Sequence, residues 1–362
     1  MRHRFHAICP YFAMFPESFV QKHLIWSKPG DLVLDPFCGR GTAVFQSLLS
    51  GRAAIGSDTN PVAVCVSRAK VDPPRRADLY RRLRTLEDRF QPVAVAPERD
   101  SVFFQTCFHH KTLEQLLFLR SELRWKHSRT DCFIAAIALG CLHGESHRSQ
   151  RYFSNRMPRT ISTKPAYSVA WWSRFGYEAP LRDVFSILRE QIAFRLVSAP
   201  AELRGQVAHV DVRRAGTAFD DHIGSVSLVI TSPPYLDTTD FAEDQWLRLW
   251  LLRGSMTPTR GSAGDDRHRT DESYWTFLTE AWAGIASLLK QGAHVVLRLG
   301  GRKLDPKNLE ALVSSSLTAG LDQAVHLRQS VSSQIVRGQA RAFRPGLSGD
   351  RREYDLHFQL VS

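Results

Sequence analysis

No two cysteines in this chain are spaced as a metal knuckle or a redox pair requires. The six, Cys9, Cys38, Cys65, Cys107, Cys132 and Cys141, are scattered through apolar surroundings without a Cys-x-x-Cys step. This spacing argues against a zinc site and predicts reduced, buried thiols in a cytoplasmic protein. Long apolar runs are absent as well. The most apolar stretch, Cys132 to Leu142, is too short to cross a bilayer, and Met1-Arg2-His3-Arg4-Phe5 leads into no signal-type segment, so no membrane partner is expected. Neither an internal repeat nor a low-complexity tract interrupts the chain. Acidic residues are in deficit, with 36 against 48 Lys and Arg and a formal net charge of +12 over 362 residues. A basic balance favours a polyanionic partner, because it attracts phosphates at long range and releases their counterions. Hydrophobic residues stand at 43%, enough to bury a core in one large or two modest domains.

Against these absences, two stretches read as strands that end abruptly in chemistry. The first is Asp31-Leu32-Val33-Leu34-Asp35-Pro36-Phe37-Cys38-Gly39-Arg40-Gly41-Thr42: a short apolar strand, an acid, two glycines that permit a tight turn, then a helix from Ala43 to Ser50. A following strand, Arg52 to Ser57, ends in Asp58, placed to accept two hydrogen bonds from ribose hydroxyls. The third glycine of a dinucleotide fingerprint is missing, and Phe37 is bulky where a pyrophosphate turn prefers a small residue. A mononucleoside-like cofactor is therefore expected. The second stretch is Ser225 to Ile230, running into Thr231-Ser232-Pro233-Pro234-Tyr235. Two prolines stop the strand and hold Pro233 extended, which offers carbonyl and hydroxyl acceptors at a carboxyl edge. An amino group suits such a place.

Between these stretches lies a helical region. Arg75 to Arg84, Leu113 to Leu119, Ile134 to Leu139 and Val184 to Ile192 each show helical spacing of apolar residues. The expected architecture is α/β, with a catalytic domain from residues 1–70 and 205–362 and a helical insertion over 71–204 as the candidate target-recognition region. Inside the insertion a polar loop interleaves basic residues with aromatics, and Arg156, Arg159 and Lys164 are candidate nucleic-acid contacts. Arg341 and Arg344, in a connection containing glycine and proline, are two more. Further on, Gln206 to Asp211 reads as a strand whose Asp211 is positioned for an adenine amino group. Gly254 to Asp271 is long enough for a cover, Tyr274 to Leu289 and Lys307 to Ala319 read as helices, and Ala293 to Leu299, Ala324 to Leu327 and Tyr354 to Leu360 as strands. The opening segment, Ile8 to Pro16, reads as an aromatic strap under the first strand, followed by a helix from Glu17 to about Trp26.

Asp35-Pro36-Phe37-x-Gly39-x-Gly41-Thr42 together with Thr231-Ser232-Pro233-Pro234-Tyr235 resembles the amino-methyltransferase group of DNA methyltransferases. The opening Pro10-Tyr11-x-Ala13-x-Phe15-Pro16 is similar to that family's element around the methionine part of the cofactor. Tyr152 to Thr160 and Glu243 to Trp250 look like stretches of a bacterial subgroup. The resemblance implies a Rossmann-like class I methyltransferase sheet and S-adenosylmethionine as cofactor. It implies cofactor contacts from Tyr11, Asp35, Phe37, Gly39, Gly41, Thr42, Asp58, Asn60 and Asp211, with catalysis at Ser232, Pro233, Pro234 and Tyr235. Double-stranded DNA is the implied substrate, and a cognate restriction endonuclease a possible companion. The large insertion precedes the third strand, a departure from the usual place of a recognition domain.

An exocyclic amine is a poor nucleophile because its lone pair is delocalised into the ring. Acceptors at the Pro233 carbonyl and Ser232 hydroxyl would draw it out of plane, Tyr235 would stack on the base, and the base would have to be flipped out of its duplex. Family members with serine at the head of the motif are usually similar to N4-cytosine enzymes, so the resemblance favours cytosine N4 over adenine N6. A C5-cytosine enzyme needs a nucleophilic cysteine after proline, and only the reverse order, Cys9-Pro10, occurs. An RNA amino-methyltransferase and a non-catalytic nucleic-acid-binding protein are the other readings.

Overall fold

The computed structural model describes residues 2–11, 15–157, 164–236, 241–259, 270–300, 304, 306–334 and 352–361. The chain divides into two units, one built on a sheet from residues 13–67, 201–239 and 263–362, the other helical from residues 1–12, 68–200 and 240–262.

The sheet unit contains β1 (Leu32–Asp35), β2 (Ala53–Asp58), β3 (Gln206–His209), β4 (Val226–Thr231), β5 (Leu289–Gly300), β6 (Val325–Gln334) and β7 (Arg352–Leu360). Their spatial order is β3-β2-β1-β4-β5-β7-β6, with β7 antiparallel to both of its neighbours and the inner pairs parallel. The α/β, Rossmann-like expectation holds. Strands β1 and β4 are buried along their whole length, which is why they read as unbroken apolar runs: a strand covered on both faces has no polar side to show.

Alternate residues serve opposite faces. Leu32, Leu34, Val229, Val295 and Leu297 pack under the Asp271–Ile285 and Leu309–Leu321 helices, while Val33, Leu228, Ile230 and Val296 meet Phe15, Phe19, Val20 and Leu24 on the other face. Trp282 anchors the first face, fully buried with its indole N–H donating to Ser316 Oγ at 3.0 Å. Removing a buried indole of this kind typically costs about 3–5 kcal/mol.

β1 leads outward to β2 and β3, and the chain then returns to β4 on the other side of β1. The reversal leaves a crevice beyond the carboxyl ends of β1 and β4, the place where open α/β sheets hold ligands. The elements between β2 and β3 are helices, among them Pro61–Val71, Val102–Cys107 and Pro165–Phe175, which the apolar spacing did not disclose.

The helical unit differs from the expected boundaries at two places, and packing explains both. The opening segment crosses the Arg129–Cys141 helix so closely at Gly140 that a Cβ there would lie 2.0 Å from the Ile8 carbonyl oxygen. Residues 1–12 therefore belong with the helices. The Trp246–Leu251 helix brings Trp250 to 4.7 Å from the Phe104 ring, and its indole N–H donates to the buried Glu98 at 2.8 Å, which ties 240–262 to the same unit. Residues 12–14 of the opening strap, residues 158–163 and residues 260–269 of the expected cover lie outside the described residues. No helix among the described residues is long and apolar enough to cross a membrane. All six cysteines are buried and none is joined in a disulfide, and no metal-holding group occurs among the described residues.

Candidate active site

β1 and β4 are joined where both end. Thr231 Oγ1 donates to Asp35 Oδ1 at 2.6 Å, and the Phe37 N–H donates to the same oxygen at 3.2 Å. The other oxygen, Oδ2, is buried without a partner in the structure. Burial pushes the Asp35 carboxyl up to about 7, against the stabilising pull of those two hydrogen bonds. A carboxylate in this state gains from any donor or cation that reaches its free oxygen.

The glycine loop after β1 is held in place by its neighbour strand. Gly39 donates its N–H to Asp58 Oδ2 at 2.8 Å, Asn60 donates to Asp58 Oδ1 at 2.8 Å, and Cys38 donates to the Ser57 carbonyl at 2.9 Å. Ser67 Oγ reaches back to the Gly39 carbonyl at 2.7 Å. Gly41, at φ +72°, opens the Thr42–Leu49 helix. A Cβ at Gly41 would fall 2.7 Å from Ser67 Oγ, so glycine is required there for both conformation and space. Asp58 is half-buried, and burial of its carboxyl raises its pKa, opposed by the backbone N–H groups it accepts. Each of its oxygens retains accepting capacity beyond one backbone bond. The expected ribose acid is thus first of all the clasp of the loop.

The other predicted cofactor residues divide. Thr42 is buried with its hydroxyl unpartnered, and Asn60 caps the Pro61–Val71 helix through Val62 N–H at 2.9 Å. Phe37 turns edge-on to Phe277 and Trp282, at 5.8 and 6.5 Å. Asp211 is engaged otherwise: it caps a short 3-10 turn and holds Arg213 through both oxygens, at 2.9 and 3.1 Å, while Arg213 also reaches Glu280. Tyr11 belongs to the helical unit.

On the reactive side, Ser232 donates its hydroxyl hydrogen to the Arg298 carbonyl at 2.8 Å. With that hydrogen committed, its lone pairs are what it can offer. Arg298 pairs with Asp355 through two bonds, at 2.7 and 2.8 Å, reaches Glu353 at 3.3 Å, and lies over the Phe19 ring at 4.2 Å. Glu353 in turn accepts from Tyr235 Oη at 3.1 Å. Burial, with the Glu353 charge, pushes the Tyr235 phenol far up, so it stays protonated at neutral pH. Its ring lies so close to Gly300 that an added Cβ would sit 2.6 Å from Tyr235 Cε2. Sequence reasoning missed the Arg298, Glu353 and Asp355 support, because these residues come from β5 and β7, far along the chain, and alternation of charged with apolar residues in those strands was the signal that could have found them.

Among the predicted nucleic-acid contacts, Arg156 and Lys164 are described and both lie in the helical unit, Lys164 exposed and Arg156 partly so. Arg159, Arg341 and Arg344 lie outside the described residues. The loop expected around them is not simply solvated: Tyr152, Phe153, Asn155 and Met157 are buried, Asn155 donating to the Thr106 and Tyr177 carbonyls at 3.1 and 2.9 Å.

The family match falls on the cofactor half of this site. Residues 3–67 match the family model described as DNA methylase. The orphan methyltransferase M.BamHII of Bacillus amyloliquefaciens is 43% identical over 47 residues, 13% of this chain and 18% of that protein. The match thus spans less than a fifth of the relative's length. Among solved structures, a SAM-dependent methyltransferase from Methanosarcina mazei aligns with 8% identity over 97% of this chain and 99% of its own, at a TM-score of 0.39. The rRNA methyltransferase aviRa from Streptomyces viridochromogenes aligns with 14% identity over 99% and 94%, at 0.34. Residues 3–67, which carry Asp35, the glycine loop and Asp58, are thus the part of the chain that is similar to the DNA methylase family.

Proposed function

We propose that this protein transfers a methyl group from S-adenosylmethionine to the exocyclic amine of a base in DNA, with cytosine N4 as the acceptor. One observation carries the reading: Thr231 bonds to Asp35, so the strand that leads into the glycine loop and the strand that leads into Ser232-Pro233-Pro234-Tyr235 end side by side at the sheet's switch point. Two half-sites of different chemistry then face one crevice.

The cofactor half suits a nucleoside with a charged tail. Asp35 offers a buried oxygen without a partner, Thr42 a buried hydroxyl, Asp58 further acceptor capacity, and the glycine positions a cradle that side chains would fill. S-adenosylmethionine supplies an electrophilic methyl group on a sulfonium sulfur.

The chain's own part is to position the nucleophile. Ser232 Oγ and the Pro233 carbonyl accept the two amine hydrogens, which draws the nitrogen lone pair out of the ring plane and aims it. Serine has no base to take its hydrogen, which is already given to the Arg298 carbonyl, so it acts as acceptor and positioner. The proton released from the amine leaves to water. Tyr235 is held by Glu353 beside Gly300, and a base would stack on its ring. A base reaches such a turn only when it is rotated out of its duplex.

The test is transfer of labelled methyl from S-adenosylmethionine to duplex DNA, followed by digestion and mass spectrometry. N4-methylcytosine is the expected product. N6-methyladenine would move the target while keeping the site, transfer to RNA alone would replace the substrate, and cofactor-free binding of nucleic acid would replace the enzyme with a binding protein.

A further inference from the structure

The Pro165–Phe175 helix carries its rings on the wrong side for a core. Trp172 and Ser168 are buried, and the Trp172 indole N–H donates to the Arg156 carbonyl at 2.6 Å. Tyr167, Trp171 and Arg174 follow one another at i, i+4 and i+7 along another face, where Tyr167 is 60% and Phe175 50% exposed. At the helix end Gly176 adopts φ +62°, a left-handed turn that an L-residue with a side chain rarely takes. The chain reverses there, and Tyr177 bonds back to the Trp172 carbonyl at 3.0 Å.

This turn assembles a ring cluster. Tyr177 lies 5.0 Å from Trp171 and 5.6 Å from Phe175, nearly parallel to the latter at 19°, and Trp171 is 5.6 Å from Phe175. Guanidinium groups cover two of the rings: Arg156 at 4.7 Å from Tyr177 and Arg174 at 5.5 Å from Phe175. The Asn155 amide fixes the Tyr177 carbonyl at 2.9 Å. Rings and cations are thus pre-positioned, while much of their apolar surface stays in water.

Charge narrows the occupant. Residues 68–200 contain 23 Lys and Arg against 13 Asp and Glu, an excess of ten in a chain whose whole excess is +12. Within 164–182 the bases are Lys164, Arg174 and Arg182, and Glu178 is the one acid. Exposed aromatic faces alternating with cations match a ligand that alternates flat rings with phosphates. We infer that Trp171, Phe175 and Tyr177 form a stacking platform for unpaired bases of a DNA strand, with Arg156, Arg174 and Lys164 on its phosphates. The choice of DNA rests on the proposed function; the platform itself rests on the helical unit alone.

The full chain is titrated with a labelled single-stranded oligonucleotide and with the matching duplex, following anisotropy and tryptophan fluorescence, and S-adenosylmethionine binding is measured separately by calorimetry. The platform predicts tighter binding of the single strand in low salt, with quenching of fluorescence on binding. Trp171→Ala and Phe175→Ala should each weaken single-strand binding by roughly 5- to 150-fold, the range that loss of one stacked base gives, at unchanged Tm and cofactor affinity. Trp171→Phe should keep the affinity but lose part of the quench. Arg174→Gln should lower the salt dependence by about one counterion. If the alanine variants bind and methylate DNA as the parent does, the platform is wrong and the methyltransferase reading stands. If the parent binds S-adenosylmethionine but no DNA, both the occupant and the substrate assignment fall.

Discussion

The two halves of the candidate site are built by different means. Around Gly39 and Asp58 the contacts run between backbone N–H groups and a carboxylate within 19 residues, and Asp35 also reaches a distant strand, through Thr231. Around Ser232 and Tyr235 they run to the Arg298 carbonyl of β5 and the Glu353 side chain of β7, 66 and 118 residues further along the chain. The first half is matched by the family comparison; the second lies beyond residue 67. A short local loop can carry its geometry in its own sequence, whereas a turn positioned by distant strands depends on the completed sheet.

The contrast can be broken from either side. Asp58→Ala removes the clasp of the glycine loop, and loss of two hydrogen bonds to a charged acceptor should weaken S-adenosylmethionine binding by about 100-fold or more, measured by calorimetry with Tm as the control for folding. Unchanged affinity would mean that the loop holds its shape without Asp58. Ser232→Ala should leave cofactor affinity intact and lower kcat by about 10- to 100-fold, as loss of one acceptor in the reacting geometry does; equal losses in both halves would show that the halves are not independent. Tyr235→Phe removes the bond to Glu353 and should reduce kcat by about 10-fold, the worth of one neutral-to-charged hydrogen bond at its lower end.

Two pH effects of opposite sign sharpen the comparison further. Burial raises Asp35 to about 7, so the folded protein holds this proton more tightly than the unfolded chain. The stability it contributes is full at low pH and is lost as pH rises through about 7. A cationic ligand next to Asp35 favours the ionised carboxylate, so cofactor affinity should climb between about pH 6 and about pH 8, and Asp35→Asn should flatten that slope in titrations.

His23 behaves in the reverse way. It is buried with both ring nitrogens unpartnered, packs on Phe19 at 4.8 Å, and burial lowers its pKa to about 4, as it does for His357. His357 shares a 2.9 Å contact with His294 beneath the Trp26 ring. These groups contribute stability that is present above the ordinary histidine pKa of about 6.5 and lost as pH falls toward 4. His23→Phe should therefore make denaturant midpoints less acid-sensitive over that window, a smaller effect than those on the site.

The strands nearest the crevice were legible because they are central. β1 and β4 are buried on both faces, so their residues are apolar in succession, and each ends at a residue type that stops a strand. Asp35, Gly39, Gly41 and Asp58 were legible for a related reason: a tight turn against a ligand leaves few residue types possible. Asp211 has a structural role that the sequence did not show. Its place at a strand end looked the same in sequence, but Arg213 two residues on takes both of its oxygens. The Pro165–Phe175 helix was hidden because its exposed rings blur the apolar spacing that marks a helix.

By itself the sequence determined the order of the sheet's central elements, the glycine loop with its two acids, and the Ser232 to Tyr235 turn, since each follows from steric limits on a few consecutive residues. Only the tertiary structure decided that Ser232 gives its hydrogen to Arg298, that Tyr235 is held by Glu353, and that the opening segment packs across Gly140 with the helices. Those contacts join residues far apart in the chain, and no local preference of either partner encodes where the other will be.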